Sequence, residues 1–225
     1  MKNKNTENVA VLLGGKSLEN YEQFISNIDN IFIINTFSKF FNDNNNLKNF
    51  KKKNIIHFVN KYGVCSLKKN QYKDLNIKTI QFSIPYNLFD LKLNKSFLIY
   101  KSMGLNCFFL KKNLLKNNVE EFGLSFKGKF PNTGLLSIFY VLSELKPKNL
   151  LIAGLDFYEN DYLHTVYKDY PLYKHVEKMK RLNLVEWLVN QFIVFSKTNI
   201  ILYSYSKQLK KLILNAKLKN VELKC

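Results

Sequence analysis

The stretch PNTGLLSIFYVLSELKPKNLLIAGLDFYENDYLH, Pro131 to His164, decides the fold. Asn132 or Thr133 is placed to cap a helix, because a short polar side chain can accept from the free N–H groups of a first turn. Apolar side chains then recur at Leu135, Leu136, Phe139, Val141, Leu142 and Leu145, a spacing that predicts a mostly buried helix. Lys146-Pro147-Lys148 ends it, since proline cannot continue the hydrogen-bond ladder. Asn149 to Ala153 follows as a continuous apolar run, the pattern of a strand covered on both faces in a parallel sheet. Gly154-Leu155-Asp156-Phe157-Tyr158 then leads from the strand into a polar, tyrosine-rich segment. A helix feeding a buried parallel strand is half of an α/β unit, whose ligands gather beyond the C-terminal strand ends. Asn132, Thr133 and Gly134 also bring amide, hydroxyl and unshielded N–H groups to the positive end of a helix dipole, which suits a phosphate.

Toward the N-terminus the pattern repeats. Asn8 to Leu13 reads as a strand, and Gly14-Gly15-Lys16-Ser17-Leu18 turns it into a helix predicted to run to about Ile28. Glycines at such a turn let backbone approach a phosphate, although neither a dinucleotide fingerprint nor a Walker A loop is present. Ile31 to Asn35 is a second strand and Ile55 to Val59 a third, followed by Asn60, so polar residues collect at one sheet edge. His57, set among Ile56, Phe58 and Val59, reads as structural. Phe41 to Lys53 reads as an exposed loop. From Lys61 to Phe130 the signal is weakest: a strand over Lys78 to Ser83 and a short basic helix over Leu110 to Asn117.

Toward the C-terminus, YENDYLHTVYKDYPLY opens a tyrosine-rich lid over about 158–174. Lys174 to about Ser196 is predicted as one amphipathic helix with Val176, Met179, Leu182, Val185, Leu188, Val189 and Phe192 on one face, His175 in its first turn and Glu186 farther along. Asn199 to Ser204 is a last strand. Ser206 onward reads as a basic amphipathic helix, either a solvated face or a contact with an anionic membrane surface through 206–224.

Composition sets the bounds. At 225 residues, 46% apolar and 15% aromatic, the chain is expected to be a single globular domain, 1–225. Its net charge of +18, from 35 Lys+Arg against 17 Asp+Glu, raises nucleic acid as a partner. No base-reading motif accompanies that charge, and the abundant Lys and Asn are spread along the chain, so no nucleic acid is expected. Cys65, Cys107 and Cys225 are widely spaced without a CxxC, which fits a reducing cytoplasm and gives no metal site. No apolar run approaches the roughly 18 residues needed to span a bilayer.

Pro-Asn-Thr-Gly-Leu-Leu followed some twenty residues later by Gly-Leu-Asp-Phe-Tyr resembles a nucleotide-sugar motif of sialyltransferases, the bacterial glycosyltransferase family 42 most nearly and family 29 more distantly. The resemblance implies a Rossmann-like, mainly parallel sheet flanked by helices, a GT-A variant with a small lid insertion. It implies transfer of a sialic-acid-type sugar, or a Kdo-like acid, from a CMP-activated donor to a glycan or glycolipid hydroxyl, as in lipooligosaccharide or capsule biosynthesis. His175 would be the catalytic base, with His164 the rival, and Tyr158 and Tyr162 would hydrogen-bond the departing phosphate. Gly14, Gly15, Ser17, Asn35, Asn60, Asn132, Thr133, Gly134 and Asp156 would hold the donor. No cofactor or metal is implied, and the chain has no Asp-x-Asp. Two positions depart from the family: Gly14 stands where the family has a phosphate-contacting Asn, and Phe130 where it has an Arg, beside Lys129.

Overall fold

The structure is a computed structural model of the 225-residue chain, and it describes residues 7–18, 25–34, 48–60, 67, 69–111, 132–157, 159 and 183–224. Eight strands form one sheet: β1 (Asn8–Leu12), β2 (Asn30–Ile34), β3 (Asn54–Val59), β4 (Thr79–Phe82), β5 (Asn106–Phe109), β6 (Asn149–Ala153), β7 (Asn199–Tyr203) and β8 (Val221–Lys224). Their order is β5-β4-β3-β2-β1-β6-β7-β8. Helices α1 (Lys69–Asp74), α2 (Leu91–Ser102), α3 (Thr133–Tyr140), α4 (Leu184–Val194) and α5 (Lys207–Asn215) flank it, which makes the fold the Rossmann-like α/β class that the sequence predicts. Central strands carry unbroken buried apolar runs, Val9 to Leu12, Ile31 to Ile34 and Leu150 to Ala153. The edge strands β5 and β8 do not, because an edge is half open to solvent.

The chain divides into two compact units, Met1–Ile31 with Ile138–Cys225, and Phe32–Ser137. In the first, β1 pairs with β6, β6 with β7 and β7 with β8, all parallel. At the start of these strands Asn8, Asn149 and Asn199 lie in register, and their amides are linked: Asn149 Nδ2 donates to Asn8 Oδ1 at 2.8 Å and Asn199 Nδ2 to Asn149 Oδ1 at 3.2 Å. A slip of one residue would break that row and turn the buried side chains to the other face. Phe139 packs its ring against Trp187 and Phe195. In the second unit β3, β4 and β5 pair in parallel. There Phe82 stacks on Phe109 with centroids 4.7 Å apart, and Tyr86, Phe97 and Tyr100 extend the aromatic cluster that seats α2. His57 is fully buried, with Nδ1 2.9 Å from the Tyr72 hydroxyl, as a structural residue should be.

Several local expectations are corrected. Asn183 has left-handed backbone (φ 47°) immediately before α4, so the helix predicted over Lys174 to Ser196 is not continuous and Glu186 does not share one with His175. Asn is among the few residues that adopt this conformation readily, which lets it interrupt an otherwise regular periodicity. Val221–Lys224 is a strand, so the basic segment 206–224 is helical only through α5. The apolar stripe of α5 serves the core, with Leu209 and Ile213 buried. Phe50, inside the predicted loop 41–53, is fully buried. Of the basic helix predicted over Leu110 to Asn117, residues 112–117 lie outside the described residues, and Leu110 and Lys111 are not helical.

Candidate active site

The strand order reverses between β1 and β6, both in the first unit, and in an open parallel sheet the crevice at that reversal is where ligands bind. The two turns leaving these strands are stitched together. Leu13 N–H donates to Ala153 O at 2.8 Å and Gly15 N–H to Gly154 O at 2.9 Å. The approach explains both glycines. A Cβ on Gly15 would lie 2.5 Å from Gly154 O and 2.7 Å from Asp156 Oδ2, and one on Gly154, which has φ +79°, would lie 2.2 Å from Leu13 O. Phe157 also takes a left-handed conformation (φ 47°), so the β6 turn bends twice within four residues, a strain that tends to gather at functional sites.

Asp156 is the centre of this edge. Buried, it accepts from Ser17 N–H at 2.8 Å, from the Ser17 hydroxyl at 2.6 Å and from Tyr205 N–H at 2.8 Å. The Ser17 hydroxyl also lies 3.0 Å from Tyr203 O and accepts from Gly154 N–H at 3.2 Å. One aspartate thus ties the ends of β1, β6 and β7. Ser17 is buried with its hydroxyl turned inward, which makes it a positioning residue of the same knot. Lys16 beside it is exposed and Gly14 half-buried.

Residues the sequence reading missed extend the knot. The Ser204 hydroxyl donates to Leu155 O, and Glu159, at the start of the predicted lid, accepts from the Ser206 hydroxyl and from Lys207 N–H at 2.8 Å. Ser206 in turn caps α5, accepting from Leu209 N–H at 3.2 Å. The carboxylate therefore sits at the positive end of a helix. Ser-Tyr-Ser before a basic amphipathic run was the available signal for that cap, but nothing local points to Glu159.

The second unit holds the start of α3. Asn132, not Thr133, is the cap: its Oδ1 accepts from Leu135 N–H at 2.9 Å and its carbonyl from Leu136 N–H at 3.0 Å. Asn132 is half-buried, Thr133 and Gly134 are buried, and Asn60 is half-buried directly after β3. Asn35, Tyr158, Tyr162, His164 and His175 lie outside the described residues, as do Phe130 and nearly all of the lid.

No protein-family model matches the sequence, and no curated protein does. Among solved structures the chain is similar to the sialyltransferase CST-II in complex with a trisaccharide acceptor and CMP, at 17% identity and a TM-score of 0.57, over 91% of this chain and 84% of that one. It is also similar to the monofunctional alpha-2,3-sialyltransferase Cst-I from Campylobacter jejuni, at 20% identity and a TM-score of 0.56, over 93% of this chain and 80% of that one. The fold is that of these sialyltransferases.

Proposed function

We propose that the chain is a CMP-sugar-dependent glycosyltransferase of the sialyltransferase type. The observation that carries this reading is the reversal edge between β1 and β6, where two glycine turns cross over a buried aspartate in a fold shared with a sialyltransferase solved with CMP and an acceptor. The donor is a sialic-type or Kdo-like acid linked to CMP, and the acceptor a glycan or glycolipid hydroxyl. Gly14, Gly15 and Lys16 from the β1 turn, with Asn35, Asn60, Asn132, Thr133 and Gly134, bind the nucleotide and sugar acid. Ser17 and Asp156 hold the β1 and β6 turns in place.

Transfer breaks the bond from the anomeric carbon to the phosphate oxygen and forms a bond from that carbon to the acceptor oxygen on the opposite face. His175 takes the acceptor proton as a base suited to neutral pH. CMP leaves with the electron pair, and hydrogen bonds from Tyr158 and Tyr162 steady the growing phosphate charge. The enzyme works in the cytoplasm, and its chemistry needs no bridging metal because the leaving group is a monophosphate ester and the chain has no Asp-x-Asp.

The test is thermal stability with CMP, CDP, UDP and GDP without added metal, followed by transfer assays from CMP-sialic acid and CMP-Kdo. At about 100 times Kd a ligand adds about 2.7 kcal/mol, which is about 5–10 °C for a chain of this size. Stabilisation confined to cytidine nucleotides, with product formed, supports the reading; no stabilisation by CMP or either CMP sugar overturns it. Stabilisation by CMP without product is the signature of a nucleotide-binding relative that has lost turnover, as the departures at Gly14 and Phe130 would produce. His175→Ala is expected to lower turnover by about 100- to 10,000-fold while keeping the CMP effect; if His164→Ala does so instead, the base is reassigned.

A further inference from the structure

Two polar side chains at the end of β4 hold groups that the fold does not use. In the second unit β3, β4 and β5 run in register, with Phe58 opposite Gln81 and Gln81 opposite Phe108. Ser83 continues that register one step past β4: its N–H donates to Val59 O at 2.8 Å, so it stands opposite Asn60. Side chains alternate between the faces of a sheet, so Gln81 and Ser83 share one face with Phe58 and Phe108. The other face, with His57 and Phe82, is the one that α1 and α2 cover through Tyr72 and Tyr100.

Gln81 is 3% exposed and Ser83 2%. Gln81 Nε2 donates to Phe82 O at 3.2 Å, which fixes the orientation of the amide and leaves its Oε1 over. Among the described residues nothing pairs with that Oε1 or with the Ser83 hydroxyl. Neither atom is sealed in, because the unpaired polar atoms closed off from solvent belong to Asn94, Trp187 and Gln191. Each therefore reaches solvent through a narrow opening. Unpaired polar groups in so buried a place weaken a fold, and apolar side chains fill the matching interiors of β1, β2 and β6. Two such groups, at C-terminal strand ends where open parallel sheets take their ligands, form a binding surface.

Their chemistry selects the ligand. Gln81 offers a carbonyl acceptor and Ser83 a hydroxyl that can donate or accept. Phe108, 42% exposed and in register with Gln81, adds an aromatic ring, and none of the three carries charge. A neutral sugar ring presents the complement, hydroxyl groups around its edge and C–H groups on its face, whereas phosphate and carboxylate call for cations or N–H donors. We propose that Gln81 and Ser83 bind hydroxyl groups of an uncharged part of a carbohydrate substrate, with Phe108 beside its ring. That part is the acceptor's sugar or the polyhydroxylated portion of the donor's. This role rests on the transferase reading and adds to it residues outside the candidate donor set.

Ser83→Ala and, separately, Gln81→Met test it in the full chain. Because the Ser83 hydroxyl makes no bond within the fold, Ser83→Ala is expected to keep the wild-type Tm or exceed it. Isothermal titration should give an unchanged Kd for CMP in both variants. Affinity for CMP-sialic acid, or the saturation-transfer NMR signal of lactose with CMP present, should fall by about 3- to 10-fold, the worth of one neutral hydrogen bond. A fall with CMP-sialic acid assigns the surface to the donor, and a fall with lactose assigns it to the acceptor. If both readings match the wild type in both variants, or if the wild type binds CMP but neither CMP-sialic acid nor lactose, the proposal is overturned while the transferase reading stands. A lower Tm in Ser83→Ala also overturns it, by showing that the hydroxyl serves the fold. A wild type that binds neither CMP nor either CMP sugar overturns the transferase reading itself, and this role with it.

Discussion

Asp156 shows how one side chain can be legible in position while its partners are not. The sequence places it at a strand end, and the resemblance implies that it fixes that end and, with Ser17, helps to hold the donor. In the fold each is the other's partner, 139 residues away along the chain, and no local pattern records such a pairing. Gly15 reads as room for a phosphate; it also makes room for the Gly154 backbone, as Gly154 does for that of Leu13 and Gly15. Asp156→Asn keeps one acceptor oxygen but sets an N–H group where Ser17 requires an oxygen, so it should destabilise the fold by about 2–4 kcal/mol, read from urea unfolding. Were Asp156 instead a ligand contact, the variant would keep its stability and lose only the CMP effect.

The elements fall into those whose apolar spacing announces them and those whose surroundings blur it. Strands β1, β2 and β6 are readable because burial on both faces demands unbroken apolar runs, and β3, β4 and β7 because apolar residues still dominate around His57, Gln81 and the half-buried Ile201, while β5 and β8 are four-residue edge strands with no buried residue. Helix α2 escaped because its outer face carries Leu91 and Leu98 where a solvated helix would carry polar residues, so the apolar stripe has no clear boundary. Helix α3 was legible to its last residue but not in its winding: Val141–Leu145 forms a π turn, closed by left-handed Lys146 whose N–H donates to Val141 O at 3.0 Å. A π turn fits one extra residue into a helix and is frequent near functional sites. At the other end of α3 the Asn132 side chain caps the first turn. Asn132→Ala should therefore cost about 0.5–2 kcal/mol, seen as a fall in Tm, and Asn132→Asp should restore it. A fall in Tm without rescue by Asp would mean that the amide has another task.

At the scale of the molecule, the sheet was legible because its centre is so apolar, and the division into two units was not, because no break in composition marks residues 31 or 138. The candidate site was legible in part: its turns could be placed, but which groups face a ligand depends on pairings across the sheet. Ionisable groups add a whole-molecule consequence at high pH. Burial pushes the half-buried Cys107 thiol from 9.0 up to about 11, against a weaker opposing pull from Lys101. Burial also raises the Tyr140 and Tyr203 hydroxyls, and Glu222 raises Lys224. All four bind their protons more tightly when folded, so their contribution is complete below the unfolded values and is lost as pH rises through the folded ones. For Cys107 that window runs from 9.0 to about 11. Tm measured across it should fall, and the fall should be shallower in Cys107→Ala; identical slopes would exclude the thiol as a contributor. The discontinuity of the first unit has a further effect, on synthesis. β1 leaves the ribosome more than a hundred residues ahead of its β6 partner, Asn149–Ala153. At about 5–20 residues per second, the Gly15 turn waits on the order of ten seconds for the Gly154 carbonyl it is shaped to meet, so this edge closes only after the whole of the second unit has been made.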